Sequence, residues 1–279
     1  MASIACSAIP TLYRLDATNA APIPSTSLTM FADDHRTRAT RLVGAVSGAA
    51  LIEHALPVLA GSRPTGFPGS PAPISARLRA LLGVEDSVDG GGYALTFDDG
   101  PHAQGTPAVL EILQAEGVRA TFFLVGEQVL RNPALAGEIA AAGHAIALHC
   151  HRHRNLLRLT PRQAREDIDR AHEAIVTHTG HTPQLYRPPY GVLSAAALRC
   201  ARAHGWRTLL WSHWGEDWRA QATAESITAR VTDGAGAGSV LLLHDADDYS
   251  APESWRRTAQ ALPRVIATMR ERGIDAVTL

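Results

Sequence analysis

The chain has 279 residues, of which 46% are hydrophobic and 19% charged, with a formal net charge of −1. That length suits one large domain or a domain with an appendage, and the charge balance gives no electrostatic case for nucleic acid or an anionic membrane. All 26 basic residues are arginine, which removes lysine Schiff-base chemistry and the lysine-bearing phosphate loop, and three cysteines (Cys6, Cys150, Cys200) are too few for a disulfide framework.

Residues 1–90 read as an N-terminal extension of low order. They carry the stretches AAPIPSTS, GSRPTGFPGSPAP and DGGGY, rich in Pro, Gly and Ser and typical of linkers. Between these lies Arg41 to Gly61, whose apolar part is shorter than the roughly 20 residues of a membrane span. It reads either as an apolar helix packing on the following domain or, if translation begins at Met30, as the h-region of a signal peptide behind Arg36, Arg38 and Arg41. No clear signal peptide starts at Met1.

From Tyr93 onward, short apolar runs alternate with longer helix-like stretches, the rhythm of a parallel sheet with helical crossovers. The strand candidates are Tyr93–Phe97, Ala120–Val125, His144–His149, Gln184–Arg187, Arg207–Ser212, Val240–His244 and Asp275–Leu279. One helix is marked at both ends. Thr160, Pro161 and Gln163 form a capping box with proline in the first turn, Ala164, Ile168, Ala171 and Ile175 share one face, and Gly180 follows. The expected fold is α/β: an irregular (β/α) barrel of about seven parallel strands, closed or incomplete, over residues 91–279. An open doubly wound sheet is the alternative.

In such barrels functional groups gather where strands end. Asp98-Asp99, His149 to His153, Arg187 to Gly191, Trp214 to Trp218 and Leu242 to Asp245 all follow strand candidates. Taken alone, Asp98-Asp99-Gly100-Pro101 is an ordinary turn sequence. Five such placements at one end read as a site. His149 and His153 are four apart, so a helical turn or tight loop brings both imidazoles to one side, and with one carboxylate they make a divalent-metal set. Nitrogen and oxygen donors favour zinc and leave room for cobalt, nickel or iron. If the strand runs on, His149 and His151 face the same side instead. Cys150 should then point away from both histidines.

The ordered set Thr-Phe-Asp-Asp-Gly-Pro (Thr96–Pro101), His149-x-x-x-His153, Arg187-Pro-Pro-Tyr-Gly, Asp217-Trp218 and Leu242-x-His244 resembles the polysaccharide deacetylases, the NodB-homology domains of carbohydrate esterase family four. The resemblance covers about residues 91–279. It implies a metal-dependent hydrolase that removes N-acetyl groups from an N-acetylglucosamine polymer such as peptidoglycan or chitin and releases acetate. It also implies one divalent ion, zinc first and cobalt or nickel as substitutes, held by Asp99, His149 and His153. Asp98 matches the general base, Arg187 the arginine that holds it with Asp217 in support, and His244 the general acid. The Tyr190 backbone N–H matches an oxyanion donor, and Leu242 and Trp218 match residues lining a pocket for the acetyl methyl. The implied partner is a carbohydrate polymer, with no nucleic acid and no protein partner, and a wall substrate favours an extracytoplasmic or envelope location.

Two positions depart from the family pattern. Cys150 stands where a serine or threonine is usual. Trp214 stands at the first aspartate of Asp-x-x-Asp-Trp, which leaves His244 without its expected charge partner unless Asp245, Asp247 or Glu216 replaces it. Without a partner the His244 pKa should fall. That departure keeps open a related amidase or O-acetyl esterase, since an ester needs the acid less. A non-catalytic carbohydrate-binding protein is the third reading.

Overall fold

The computed structural model describes residues 76–279. The extension up to residue 75, including the apolar segment Arg41 to Gly61, lies outside the described residues. Within them the chain runs α1 (Ala76–Leu82), β1 (Val84–Glu85), β2 (Tyr93–Asp98), α2 (Gly105–Ala115), β3 (Thr121–Val125), α3 (Gly126–Arg131) and α4 (Pro133–Ala141). It continues through β4 (Ala145–Cys150), α5 (Pro161–Thr179), β5 (Leu185–Tyr186), α6 (Ala195–Ala203), β6 (Arg207–Leu209) and β7 (His213–Trp214). The last elements are α7 (Ala224–Thr232), β8 (Val240–His244), α8 (Ser254–Glu271) and β9 (Ala276–Val277).

The strands pair in the order β1-β6-β5-β4-β3-β2-β8-β7, with β9 added to β2, and every strand pair is parallel. The end strands β1 and β7 do not pair with each other. The result is the incomplete (β/α) barrel, open between its first and last staves. Nearly every strand residue from β2 to β4 is buried, as a sheet covered on both faces requires. Alternation divides these residues between two cores. Tyr93, Leu95, Phe97, Phe122, Leu124, Ile146 and Leu148 meet the helices, including Ala164, Ile168, Ala171 and Ile175 of α5. Val84, Ala94, Phe123, Ala147, Leu185, Leu209, Val240 and Leu242 meet across the concave face.

Three differences from the sequence expectation have local causes. The edge strand β1 lies ahead of the boundary expected at residue 91; Val84 and Val88 are buried in the concave core, too isolated in sequence to read as a strand. The run expected over Arg207–Ser212 stops at Leu209, and β7 follows as a separate two-residue strand on β8. β5 shrinks to two residues because Pro188 and Pro189 carry no N–H for a ladder. The capped helix forms as read: Thr160 and Gln163 make the capping box, and Gly180 closes α5 at φ 70.

One buried charge on α5 organises the loop after β4. Asp167 is almost fully buried and accepts hydrogen bonds from the His151 N–H (2.8 Å), the Arg152 N–H (3.3 Å) and the Arg154 guanidinium (2.8 Å). Gly126 lets this loop approach, since a Cβ there would lie 2.7 Å from His151 Nδ1 and 2.9 Å from Ala171 Cα. Asp167→Ala should cost about 1–3 kcal/mol, because it leaves loop donors without their acceptor. Thermal unfolding should show a midpoint several degrees lower, with a smaller loss in Asp167→Asn. An unchanged midpoint in both would mean that the loop is held by other contacts.

Candidate active site

The parity that packs the concave core also aims polar groups into it at the strand ends. Ala94 and Thr96 are followed two residues on by Asp98, Ala147 by His149, Leu185 by Arg187, and Leu242 by His244. Register places Asp98 directly beside His244 on the neighbouring strand. Asp99 would face the helices if β2 continued. Its φ of 81 breaks the alternation, and its carboxylate turns to the same side as that of Asp98.

Arg187 is completely buried and uses four hydrogen bonds. It donates to Asp98 Oδ1 (2.7 Å), Thr96 Oγ1 (2.9 Å), the Leu209 carbonyl (3.0 Å) and the Leu210 carbonyl (2.9 Å). Its guanidinium also lies 3.8 Å from the centre of the Phe123 ring. The base candidate is therefore held by an arginine that cannot itself move.

Asp99, His149 and His153 converge. Asp99 Oδ1 lies 3.6 Å from His149 Nε2 and 3.4 Å from His153 Nε2. His149 Nδ1 donates to the Arg187 carbonyl at 2.7 Å, so its proton sits there and Nε2 presents a lone pair. His153 reaches the site from the loop that Asp167 anchors, and its ring stacks on Tyr249 at 4.5 Å and meets the Tyr190 ring edge-on at 4.5 Å. Burial holds both histidines down at about 4, in the neutral form that ligates. Burial pushes Asp99 up to about 6, against the pull of His244 and His149. Asp99 Oδ1 is a buried oxygen without a hydrogen-bond partner. A carboxylate left in that state beside two neutral imidazoles fits a divalent cation. His151 is elsewhere, its N–H on Asp167, and Cys150 shares the core-facing parity of Ile146 and Leu148.

The acid candidate has a different partner from the one expected. Asp217, fully buried, accepts from His244 Nδ1 (2.9 Å), the His244 N–H (2.7 Å) and Thr258 Oγ1 (2.8 Å). It does not touch Arg187, whose bonds go elsewhere. The reading of His244 as unpartnered is thus corrected: two residues of strand β7 and the turn after it carry Asp217 to β8, while Trp214 pairs in register with Leu242. Asp245 instead accepts from Thr106, Asp247 from the Glu253 N–H (2.6 Å), and Glu216 pairs with Arg219 and Arg230. Burial alone would lower the His244 pKa. The Asp217 carboxylate in contact, with Asp99 and Asp98 further off, outweighs it and raises the value to about 10. The expected fall below the ordinary histidine value is therefore reversed.

His244 Nε2 lies 4.0 Å from Asp99 Oδ2, so base, triad and acid form one continuous cluster. Tyr190 sits in the turn Pro189–Gly191 with φ 59 and its ring half-exposed. The Trp218 ring meets His244 edge-on at 5.5 Å, and Leu242 lies two residues before His244 on the same face. Tyr249 and Asp167 were not legible as site residues. Tyr249 lies in a loop with no recognisable spacing, and Asp167 reads as one more charge on an amphipathic helix.

The family description "Polysaccharide deacetylase" matches residues 86–209. A peptidoglycan-N-acetylglucosamine deacetylase of Bacillus cereus is 34% identical over 186 residues, covering 67% of this chain; the chain spans 66% of that relative's length. A chitooligosaccharide deacetylase of a Bradyrhizobium species is 32% identical over 188 residues, covering 65% of this chain and 85% of the relative. Among solved structures, the Bc1960 peptidoglycan N-acetylglucosamine deacetylase, bound to a hydroxamate-type benzamide, superposes with a TM-score of 0.68 at 30% identity. It covers 74% of this chain and 94% of that one. On these likenesses in sequence and fold, the chain belongs to the polysaccharide deacetylase family, the NodB-homology domains of carbohydrate esterase family four.

Proposed function

We propose that the protein is a metal-dependent hydrolase that removes N-acetyl groups from an N-acetylglucosamine polymer, peptidoglycan or chitin oligosaccharide, and releases acetate. The observation that carries this reading is the pair of buried charge contacts, Arg187–Asp98 and Asp217–His244, flanking the Asp99, His149 and His153 triad. The relatives named as deacetylases of these two polymers support the substrate class.

Asp99, His149 and His153 would hold the ion, zinc first and cobalt or nickel as substitutes. When bound, a divalent ion supplies Lewis acidity that lowers the pKa of water and polarises a carbonyl. Asp98, oriented by Arg187, takes the proton of the attacking water as its oxygen adds to the acetyl carbon. The Tyr190 backbone N–H is assigned the developing oxyanion, a task for a fixed dipole. His244, its Nδ1 committed to Asp217, gives the Nε2 proton to the departing nitrogen as the C–N bond breaks. Leu242 and Trp218 are assigned the walls around the acetyl methyl. The products are acetate and a free amine on the sugar.

An amine leaves only after protonation, whereas an alkoxide needs less help. The strongly partnered His244 therefore favours the amide reading over the ester one. The exported location that a wall polymer requires is part of the same proposal.

Acetate release from a chitin oligomer and from peptidoglycan tests the function directly. Release should be lost on chelation and regained on adding zinc or cobalt. No release from either polymer, or release indifferent to chelator, would overturn the reading.

Within the site the roles separate. Asp98→Asn should keep its bound metal and lose at least about a hundred-fold in turnover, while His153→Ala loses the metal and His151→Ala keeps it. Elemental analysis beside turnover reads both, and retained turnover in Asp98→Asn would sink the assignment of the base.

Removing the charge at Asp217 tests the acid. The raised pKa keeps His244 protonated as pH rises, until the pH passes the folded-state value. Asp217→Asn should thus bring the alkaline fall of amide turnover to lower pH by at least about one unit. An acetyl ester should respond less. An alkaline limb that stays in place would mean that His244 is not the group being titrated.

A further inference from the structure

Helices α5 and α6 pack side by side, and the contact between them gathers side chains of metal-ligating type that the strand-end site does not use. Asp169 and His172 lie one turn apart on α5. Cys200 lies on α6, and His204 caps that helix one turn further on. His204 Nε2 is 3.3 Å from Asp169 Oδ1, and Cys200 Sγ is 3.9 Å from the same oxygen. One donor atom from each of these three residues falls within 4.8 Å of the others.

These spacings suit a ligand set as well as a hydrogen-bonded contact. Tetrahedral bonds of about 2.0 Å to nitrogen or oxygen and 2.3 Å to sulfur put the donors roughly 3.3 to 3.6 Å apart. The two separations to Asp169 Oδ1, 3.3 and 3.9 Å, lie within a few tenths of an ångström of that edge length. His204 is oriented by stacking on Trp206, with ring centres 4.2 Å apart and planes 10° from parallel. A second observation points the same way. The His172 ring lies 5.2 Å from that of His204, and its Nε2 is buried without a hydrogen-bond partner.

We propose that Asp169, Cys200 and His204 form a structural metal site that takes zinc or another thiophilic divalent ion and clamps α5 to α6. The thiolate excludes magnesium and calcium, which prefer oxygen. Donors drawn from two packed helices, away from the strand ends, would make the ion a tie between those helices. Burial, helped by Asp169, pushes the free Cys200 thiol up to about 11, so binding must release its proton. The site is independent of the strand-end triad and does not rest on the proposed reaction.

Cobalt(II) added to the metal-free full chain tests the proposal, because only a thiolate ligand produces a near-ultraviolet charge-transfer band. The band should appear in the unmodified protein and in His153→Ala, persist in Cys150→Ser, and vanish in Cys200→Ser. Elemental analysis should find one ion fewer per chain in Cys200→Ser and in His204→Ala than in the unmodified protein, with acetate release unchanged in both. His204 is exposed, so its variant reads the site without disturbing the packing around buried Cys200. Absence of the band, its survival in Cys200→Ser, or a full metal complement in both variants would overturn the proposal and leave an ordinary hydrogen-bonded patch.

Discussion

A guanidinium buried without solvent is the constraint on which the rest of the barrel's active end depends. Arg187 must find acceptors for its donors inside the fold, and it finds them on β2 and at the end of β6: Asp98, Thr96, and the carbonyls of Leu209 and Leu210. Removing one partner of such a pair commonly costs about 3–5 kcal/mol, because the other charge stays buried. The pair therefore ties three strands at their C-terminal ends. The stave ends cannot splay without exposing that charge imbalance, and the position of Asp98 follows from it.

The same region carries more negative than positive charge. Asp98, Asp99 and Asp217 face Arg187 and a protonated His244, while His149 and His153 are neutral. Each flanking carboxylate has a cation of its own, and Asp99 between them has none in contact at hydrogen-bond distance. The unmatched charge falls on the residue whose buried oxygen has no donor. That coincidence is the electrostatic reason for placing an ion there. Of the two adjacent aspartates, one is answered by arginine, and the other, facing the imidazole lone pairs, would be answered by the ion.

The departure at Trp214 shows how spacing alone misleads. Counting along the motif leaves His244 without a carboxylate. In three dimensions β7 lies parallel to β8 with Trp214 opposite Leu242, and the turn after it delivers Asp217 to both the ring and the backbone N–H of His244. Partnership between residues 27 positions apart depends on strand pairing, and β7 is too short and too polar to announce itself. The loop carrying His153 is a similar case. Its anchor, Asp167, sits on a helix whose amphipathic pattern is plain in the sequence, yet nothing in that pattern distinguishes a charge that faces solvent from one that caps a loop.

By itself the sequence determined the parallel α/β architecture, the ends of α5, and which chemical groups stand at the strand ends. Those features follow from periodicity, capping and turn chemistry, which act over a few neighbouring residues. Only the tertiary structure decided the remainder: that β1 joins the sheet, that the barrel stays open, and that His153 and not His151 faces Asp99. It also decided that Asp217 serves His244 and not Arg187. Each of these depends on which distant strands and helices come into contact, and buried charges choose their partners through that contact.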